Sequence, residues 1–381
     1  MTAFLIPATI LTAIYVLTIA LFLYGLSRPA PGRNDEKPSV SVIIAARNEE
    51  HHIGAILQDL AIQSYPAESY EVIVANDASS DRTIHIINDF AERYPSFRSI
   101  TINDCPPGVS PKKYAIEQAV RKSIGKIILA TDADCRVGPD WIASMVAFFT
   151  PSVGFVVGFS QFGRSGDPQN LIERLQAFDF LPLMGVAAAT CQLGLPLAAS
   201  GQNLAYRRDA FLSVGGYRRV YHRISGDDVL LLQLIRRLTR YRTVFALDDK
   251  AFASSEPQST LSQFINQRKR WASNGSFQLF LNLPFFFYLI LVYLYNSLCF
   301  FGSLAAIFSP SLLVPLLWLL AIKLASEGLM SSASARRFHR IDLLKYFPLW
   351  FFLQIPYVAL MGVLGTFGNF KWKGRTHSAT A

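Results

Sequence analysis

Pro38-Ser-Val-Ser-Val-Ile-Ile-Ala45, followed at once by Ala46-Arg-Asn-Glu-Glu50, is the stretch on which the reading of this chain turns. The run 39–45 is almost continuously apolar and rich in β-branched residues, the pattern of a strand buried on both faces of a parallel sheet. Pro38, which has no N–H to give to a ladder, marks its start. Moving outward toward the C-terminus, the pattern recurs as helix 53–63, strand 71–75, helix 83–94, strand 98–102, helix 113–123, strand 126–131, helix 140–149 and strand 154–159. Strands alternating with helices predict an α/β fold with a doubly wound, mostly parallel sheet. In such a sheet ligands lie beyond the carboxyl ends of the strands, so the residues just after each strand are the functional candidates.

Outward toward the N-terminus, residues 2–26 hold no charged side chain, enough for a helix to cross roughly 30 Å of hydrocarbon at about 1.5 Å per residue. A cleaved signal peptide carries a basic residue before its apolar run, whereas Arg28, Arg33 and Lys37 all follow this one, which predicts a retained spanning helix. The positive-inside rule then places the next block in the cytoplasm. Three more apolar segments, 283–308, 312–330 and 347–367, lie in the C-terminal quarter, the first two separated by Ser309-Pro310-Ser311. The division that follows is a transmembrane helix at 1–26, a linker at 27–37, a cytoplasmic α/β domain at 38–276, a membrane region at 277–370 and a basic tail at 371–381. Three crossings put Lys371, Lys373 and Arg375 outside if Arg336, Arg337, Arg340 and Lys345 are inside, so one segment is expected to be interfacial or re-entrant. Lys323 and Glu327 sit four apart within the second tail segment; snorkelling near a helix end is the favoured reading, an intramembrane site the sharper one.

Composition agrees with this division. With 51% hydrophobic and 17% charged residues, against a usual quarter charged, the chain is too apolar for one soluble domain and too aromatic for disorder. A multi-pass protein of the cell (inner) membrane is the expectation. Cys105, Cys135, Cys191 and Cys299 show neither zinc-ligand nor disulfide spacing and fit a reducing compartment. The net charge of +9 comes with no aromatic-basic module, which argues against nucleic acid. The basic run from Arg207 to Arg242 is read mainly as solvated positions, with attraction to an anionic membrane surface as the functional alternative.

Acidic and polar residues follow the predicted strands: Arg47, Asn48, Glu49 and Glu50; then Asn76, Asp77, Ser79 and Asp81; then Asp132-Ala-Asp134. Taken alone, Ser79 and Asp81 read as local turn or capping groups. Two carboxylates emerging together at a sheet edge repel unless a cation lies between them, and oxygen donors of this hardness suit Mg²⁺ or Mn²⁺ shared with substrate phosphates. The plain alternative is an acidic turn before a helix capped by Asp140. There is no GxxxxGK[ST] loop and no GxGxxG after the first strand, so a nucleotide must be held otherwise. Asp77 at a switch-point edge is suited to accept hydrogen bonds from a base or ribose. Gly226-Asp227-Asp228 opens an apolar helix at 229–238, and its carboxylates offer both an N-cap and a general base, which a helix N-terminus keeps ionised. Gln267-Arg-Lys-Arg270-Trp271 precedes the tail segments, as an interfacial anchor or as a clamp in which Arg270 meets a leaving pyrophosphate and Trp271 floors an acceptor site.

In their order, SVIIAARNEE, VANDASSDRT, PKKYAI, TDADC, SGQNLAYRR, GDDVLL and QRKRW resemble the family 2 glycosyltransferases, membrane enzymes of the GT-A nucleotide-diphospho-sugar transferase fold related to those of cellulose, hyaluronan and ceramide glucosyl transfer. The resemblance covers 38–271. It implies that Ala45, Arg47, Glu49 and Asp77 surround a uridine-like base and that Lys112 approaches the donor. It further implies that Asp132 and Asp134 hold diphosphate and metal, that Asp228 is the base, and that Gln267, Arg270 and Trp271 serve acceptor and pyrophosphate. Asn76 and Ala78 stand where the family commonly has Asp and Gly, and Gly226-Asp227 replaces Thr-Glu, which makes Asp227 a rival base. The expected activity is metal-dependent, inverting transfer from a UDP-sugar to a lipid or lipid-linked hydroxyl. A processive polysaccharide synthase and a catalytically inactive, nucleotide-sugar-binding membrane scaffold are the alternatives.

Overall fold

A computed structural model of the chain describes residues 2–164, 167, 170–372 and 375–378. It opens on helix α1 (Thr2–Ser27) and continues with β1 (Val40–Ala46), α2 (Ile53–Ala61), β2 (Tyr70–Asn76), α3 (Thr83–Arg93), β3 (Phe97–Thr101), α4 (Pro111–Lys122) and β4 (Ile127–Asp132). Next come β5 (Cys135–Val137), α5 (Trp141–Val146), β6 (Val153–Gly158), β7 (Ser160–Phe162), α6 (Leu171–Gln192), β8 (Leu204–Arg207), α7 (Arg208–Ser213), α8 (Val229–Leu238), β9 (Arg242–Ala246) and β10 (Ala253–Ser255). The remainder is α9 (Leu261–Ala272), α10 (Gln278–Leu281), α11 (Leu283–Phe308), α12 (Leu313–Arg337), α13 (Phe347–Phe367), β11 (Asn369–Trp372) and β12 (Arg375–Ser378). Contacts divide the chain into an α/β unit of 29–164 and 191–257 and a helical unit of 1–28, 165–190 and 258–381.

In the α/β unit the β-branched runs of β1, β2 and β4 are buried almost throughout. They form the middle of a seven-stranded sheet in the order β3-β2-β1-β4-β8-β6-β9. All pairings are parallel except those of β8, which runs antiparallel to β4 and β6. Sequence periodicity placed strand 154–159 next after 126–131; β8 lies between them because a four-residue strand is too short to show a period. The sheet grows one way from β1 through β2 to β3 and the other way through β4, so the topological switch point lies between β1 and β4. Val42, Ile44, Val72, Val74, Leu129 and Trp141 belong to its hydrophobic core. A second sheet, β5-β10-β7, has three short strands. Helix α5 is shorter than the expected 140–149, and Asp140 does not cap it. Its carboxylate instead accepts from Ser64 Oγ at 2.7 Å and pairs with Lys250 at 3.0 Å.

Among the described residues the helical unit holds four helical runs long and apolar enough to cross a membrane, Leu5–Ser27, Leu283–Phe308, Pro310–Arg337 and Ile341–Phe367. Residues 170–190 and 258–276, assigned in sequence to the α/β domain, group with this unit. Helix α9 packs on α13, where Phe264 meets Trp350 edge-on and stacks with Tyr357. Snorkelling does not describe Lys323. Because α12 continues to Arg337, Lys323 lies near its middle and is fully buried, its Nζ 2.7 Å from both carboxylate oxygens of Glu327. Glu327 Oε1 also accepts from the Tyr15 hydroxyl and, at 3.1 Å, from Gln354 Nε2, so one carboxylate ties α12 to α1 and α13. Of the three cations in the expected parity conflict, Lys373 lies outside the described residues.

Candidate active site

Strand register brings the predicted edge residues together. Ala45 stands opposite Ala75 of β2 and Asp132 of β4, and Ala46 opposite Asn76. The loops that leave β1 and β2 are laced to each other. Arg47 Nη1 donates to the Asp77 carbonyl at 3.1 Å and to its Oδ2 at 3.3 Å. The backbone N–H groups of Asn48, Glu49 and Glu50 donate to Ser79 Oγ, Thr83 Oγ1 and Asp81 Oδ2. Asp81 also accepts from the N–H and hydroxyl of Thr83, the local turn work expected of it, whereas Ser79 binds across to the other loop. Asn48 and Ala78 take φ of 52° and 47°. Ala78 thus occupies the left-handed region that glycine enters more readily. The His52 ring stands between Glu49 at 3.2 Å and Glu256 at 3.1 Å.

Beyond β4 the carboxylates gather around one ammonium. Lys112, in the first turn of α4, reaches Asp132 Oδ1 at 2.7 Å and Asp227 Oδ2 at 2.9 Å. Burial alone would lower this ammonium, but Asp132 and Asp227 more than reverse it and hold it well above the usual lysine range. Burial raises Asp227, yet Lys112 outweighs that and leaves its carboxyl below the ordinary value. Asp228 goes the other way: burial, then the Asp227 charge, push it up to about 6. It caps α8, accepting from Val229 N–H at 2.6 Å, and accepts from Gly201 N–H at 2.9 Å. The helix N-terminus expected to keep Asp228 readily ionised is present, and desolvation together with its acidic neighbour outweighs it. A side chain at Gly201 would stand 3.3 Å from Asp227 Oδ2 and 3.6 Å from Lys112 Nζ, so the glycine lets backbone approach the cluster. Asp134 is pushed up to about 6 by burial, then by Asp132 and Glu49.

Asp132 and Asp134 are suited to a divalent ion. Both are hard oxygen donors, and the repulsion that raises Asp134 is what a cation between them would relieve. Among the described residues no group of three or more His, Cys, Asp or Glu side chains is arranged to hold a metal by itself. Such an ion would therefore draw its remaining ligands from phosphate oxygens and water, the usual habit of Mg²⁺.

Gln267, Arg270 and Trp271 lie on α9, in the helical unit. Gln267 Oε1 accepts from Gln176 Nε2 at 3.0 Å and from Arg268 Nη1 at 3.2 Å, and Trp271 lies against Phe180 with ring centroids 5.7 Å apart. The buried cation of this motif is Arg268, which the sequence reading passed over. It pairs with Asp179 at 2.6 Å and lies 4.1 Å from the Trp271 ring. Burial raises Asp179, with Arg268 opposing the rise.

Lys113 was passed over as well. It is fully buried, and its Nζ donates to the carbonyls of Arg223 and, at 2.7 Å, Ser225. Burial pushes its ammonium down to about 7, against the pull of Asp227 and Asp228. The signal was available: Lys113, Ile116, Glu117 and Val120 fall at the i, i+3, i+4, i+7 positions of one buried helix face.

The profile of glycosyl transferase family 21 matches residues 5–379. The motif set resembles family 2, whereas the matching profile is that of family 21, likewise of the GT-A type. A Bacillus subtilis protein named probable glycosyltransferase YdaM is 28% identical over 255 residues, 66% of this chain and 59% of that protein. A beta-monoglucosyldiacylglycerol synthase of Synechocystis is 27% identical over 249 residues, 62% of this chain and 48% of that enzyme. The chain thus spans about half to three-fifths of the length of these relatives. Among solved structures, a mannosyltransferase from Pyrobaculum calidifontis in complex with GDP-Man and Mn²⁺ shares the fold. Its TM-score is 0.62 at 19% identity, over 96% of this chain and 97% of that one.

Proposed function

The chain belongs to glycosyl transferase family 21, and from that premise we propose that it moves a sugar from a nucleotide-diphospho-sugar, read as a UDP-sugar, to the hydroxyl of a lipid or lipid-linked acceptor. Its similarity to a beta-monoglucosyldiacylglycerol synthase supports the lipid acceptor, and four apolar helical runs support a multi-pass membrane protein. Arg28, Arg33 and Lys37 after α1 support a cytoplasmic α/β unit at the cell membrane.

One observation carries the mechanism: two adjacent carboxylates with opposite displacements, Asp227 paired to Lys112 and Asp228 raised to about 6. Carboxyls pushed apart in this way take different roles. Asp227 is the weaker base and holds Lys112 in place. Asp228 is more basic than an ordinary aspartate yet mostly ionised at neutral pH, the condition for general-base work. In the proposed step Asp228 takes the acceptor hydroxyl proton as that oxygen bonds to the anomeric carbon. The bond from that carbon to the diphosphate oxygen breaks, its electron pair leaves with the nucleoside diphosphate, and the configuration inverts. Asp132 and Asp134 would hold Mg²⁺ or Mn²⁺, which when bound would neutralise charge on the leaving group. Ala45, Arg47, Glu49 and Asp77 receive the nucleoside, and Lys112 sits at the donor end of the same edge. Gln267, Arg270 and Trp271 attend the acceptor and the pyrophosphate.

The test is a panel of radiolabelled nucleotide sugars incubated with purified protein, extracted lipids and Mg²⁺ or Mn²⁺. A lipid product carrying one sugar is expected. Long polymer would overturn single addition in favour of processive synthesis, and donor binding without any transfer would leave a scaffold.

A further inference from the structure

The segment that delivers Asp227 and Asp228 is held by one face of α4. Ser110, its N-cap residue, donates its N–H to the Tyr221 carbonyl at 2.8 Å and its hydroxyl to the Ile224 carbonyl at 3.2 Å. One turn later, Lys113 Nζ donates to the carbonyls of Arg223 and Ser225. A further turn on, Glu117, 2% exposed, accepts the Tyr217 N–H at 3.2 Å. Positions 110, 113 and 117 share a helix face. Their partners all fall within 217–225, and Gly226 (φ 82°) then turns the chain into Asp227. Tyr217 closes the loop on itself by donating its hydroxyl to the Asp227 carbonyl at 3.0 Å. Neighbouring lysines of α4 therefore face different targets. Lys112 meets the side chains of Asp132 and Asp227, and Lys113 meets the backbone just ahead of Asp227.

We propose that Lys113 is a positioning residue for transfer: by holding two carbonyls of 223–225 it fixes where Asp228 stands relative to Lys112 and Asp132. The inference rests on the reading of Asp228 as the base. A lysine suits the task because one ammonium serves two carbonyls at once while its stem fills a buried helix face. The interaction also explains why a cation is buried where, among the described residues, no carboxylate pairs with it directly: the two carbonyls accept its hydrogen bonds.

The test compares Lys113→Met, Asp228→Asn and the double variant, as purified full-length protein. Readouts are kcat, the donor KM and Mn²⁺-dependent UDP binding. Displacing a reacting group by about 1 Å costs about 10²-fold, so Lys113→Met is expected to lower kcat by about 10- to 100-fold with donor KM and UDP binding within about twofold. Because it acts through Asp228, it should add little to Asp228→Asn, whereas independent effects multiply. Full kcat in Lys113→Met beside an inactive Asp228→Asn overturns this inference and leaves the base assignment standing. A full multiplicative loss in the double variant overturns it as well. Wild-type kcat in Asp228→Asn overturns the base itself. If Lys113→Met does not fold, Ser110→Ala removes one donor to the same segment. It is then expected to lower kcat by about threefold or more with the same non-additivity, and unchanged kcat there overturns the proposal.

Discussion

Each unit of the chain buries cations against carboxylates, and the two differ in how the charges balance. In the helical unit they are matched one to one. Lys323 meets Glu327, whose carboxylate also receives Tyr15 and Gln354, and Arg268 meets Asp179. In the α/β unit the four carboxylates of Asp132, Asp134, Asp227 and Asp228 outnumber two cations. Lys112 pairs directly with Asp132 and Asp227, and the buried Lys113 turns its ammonium to backbone carbonyls. Burial, then the neighbouring carboxylates, raise Asp134 and Asp228 to about 6. A matched pair is complete and holds helices together, whereas an acidic surplus is stable only while something positive or a proton comes to it. Burial of a charge therefore says little about function until the balance around it has been drawn up.

The comparison can be broken most decisively at Asp228. Asp228→Asn is expected to lower kcat by about 10²- to 10⁴-fold, the worth of a general base, while Mn²⁺-dependent UDP binding by calorimetry stays near wild type. Loss of binding in parallel with kcat would move Asp228 from the chemistry to the donor. On the matched side, Glu327→Leu leaves Lys323 buried without its partner and should cost about 3–5 kcal/mol. The Lys323→Met/Glu327→Leu pair should regain most of that. Thermal unfolding of the detergent-solubilised variants reads both, and equal losses in the single and double variants would refute the contrast.

A third prediction concerns pH. A carboxyl raised in the folded state binds protons more tightly there than in the unfolded chain. Its contribution to stability is thus full below the unfolded value of about 4 and is lost as pH rises through about 6. A divalent ion relieves this penalty only when the carboxylates are ionised. Mn²⁺ with UDP should therefore raise the Tm more at pH 7.5 than at pH 5.0, and equal shifts would show that Asp134 is not the competing group. The smallest effect is expected at Ala78, whose φ of 47° carries the left-handed penalty. Ala78→Gly should stabilise the protein by about 1 kcal/mol in the same unfolding assay, since relief of that strain exceeds the entropy glycine adds to the unfolded chain.

The central strands were legible because β1, β2 and β4 are long β-branched runs, and the polar residues beyond them were legible because a doubly wound sheet presents its strand ends as a site. Strands β5, β7, β8 and β10, at three or four residues each, are too short to carry a periodic signal. The raised carboxyl of Asp228 is not legible locally, because local reasoning sees only the helix N-terminus at 229. It does not see the burial, or the Lys112 pairing that keeps Asp227 charged beside it. Lys112 was readable from a motif. Lys113, identical in kind and adjacent in sequence, was missed because its partners are carbonyls 110 and 112 residues away. Arg268 is hidden in the same way between two residues of a familiar pattern, since its partner Asp179 lies 89 residues away on α6.

Because 165–190 and 258–381 belong to one unit and 191–257 to the other, neither unit is an uninterrupted length of chain. During synthesis α6 emerges long before α9 and α13, so its contacts with them form only after β8, β9 and β10 have been made. A fragment cut at 29–276 would carry α6 and α9 without the long helices they assemble with, and would present their apolar faces to solvent. Completion of the helical unit therefore waits on 258–381, after the polypeptide has left and re-entered it twice.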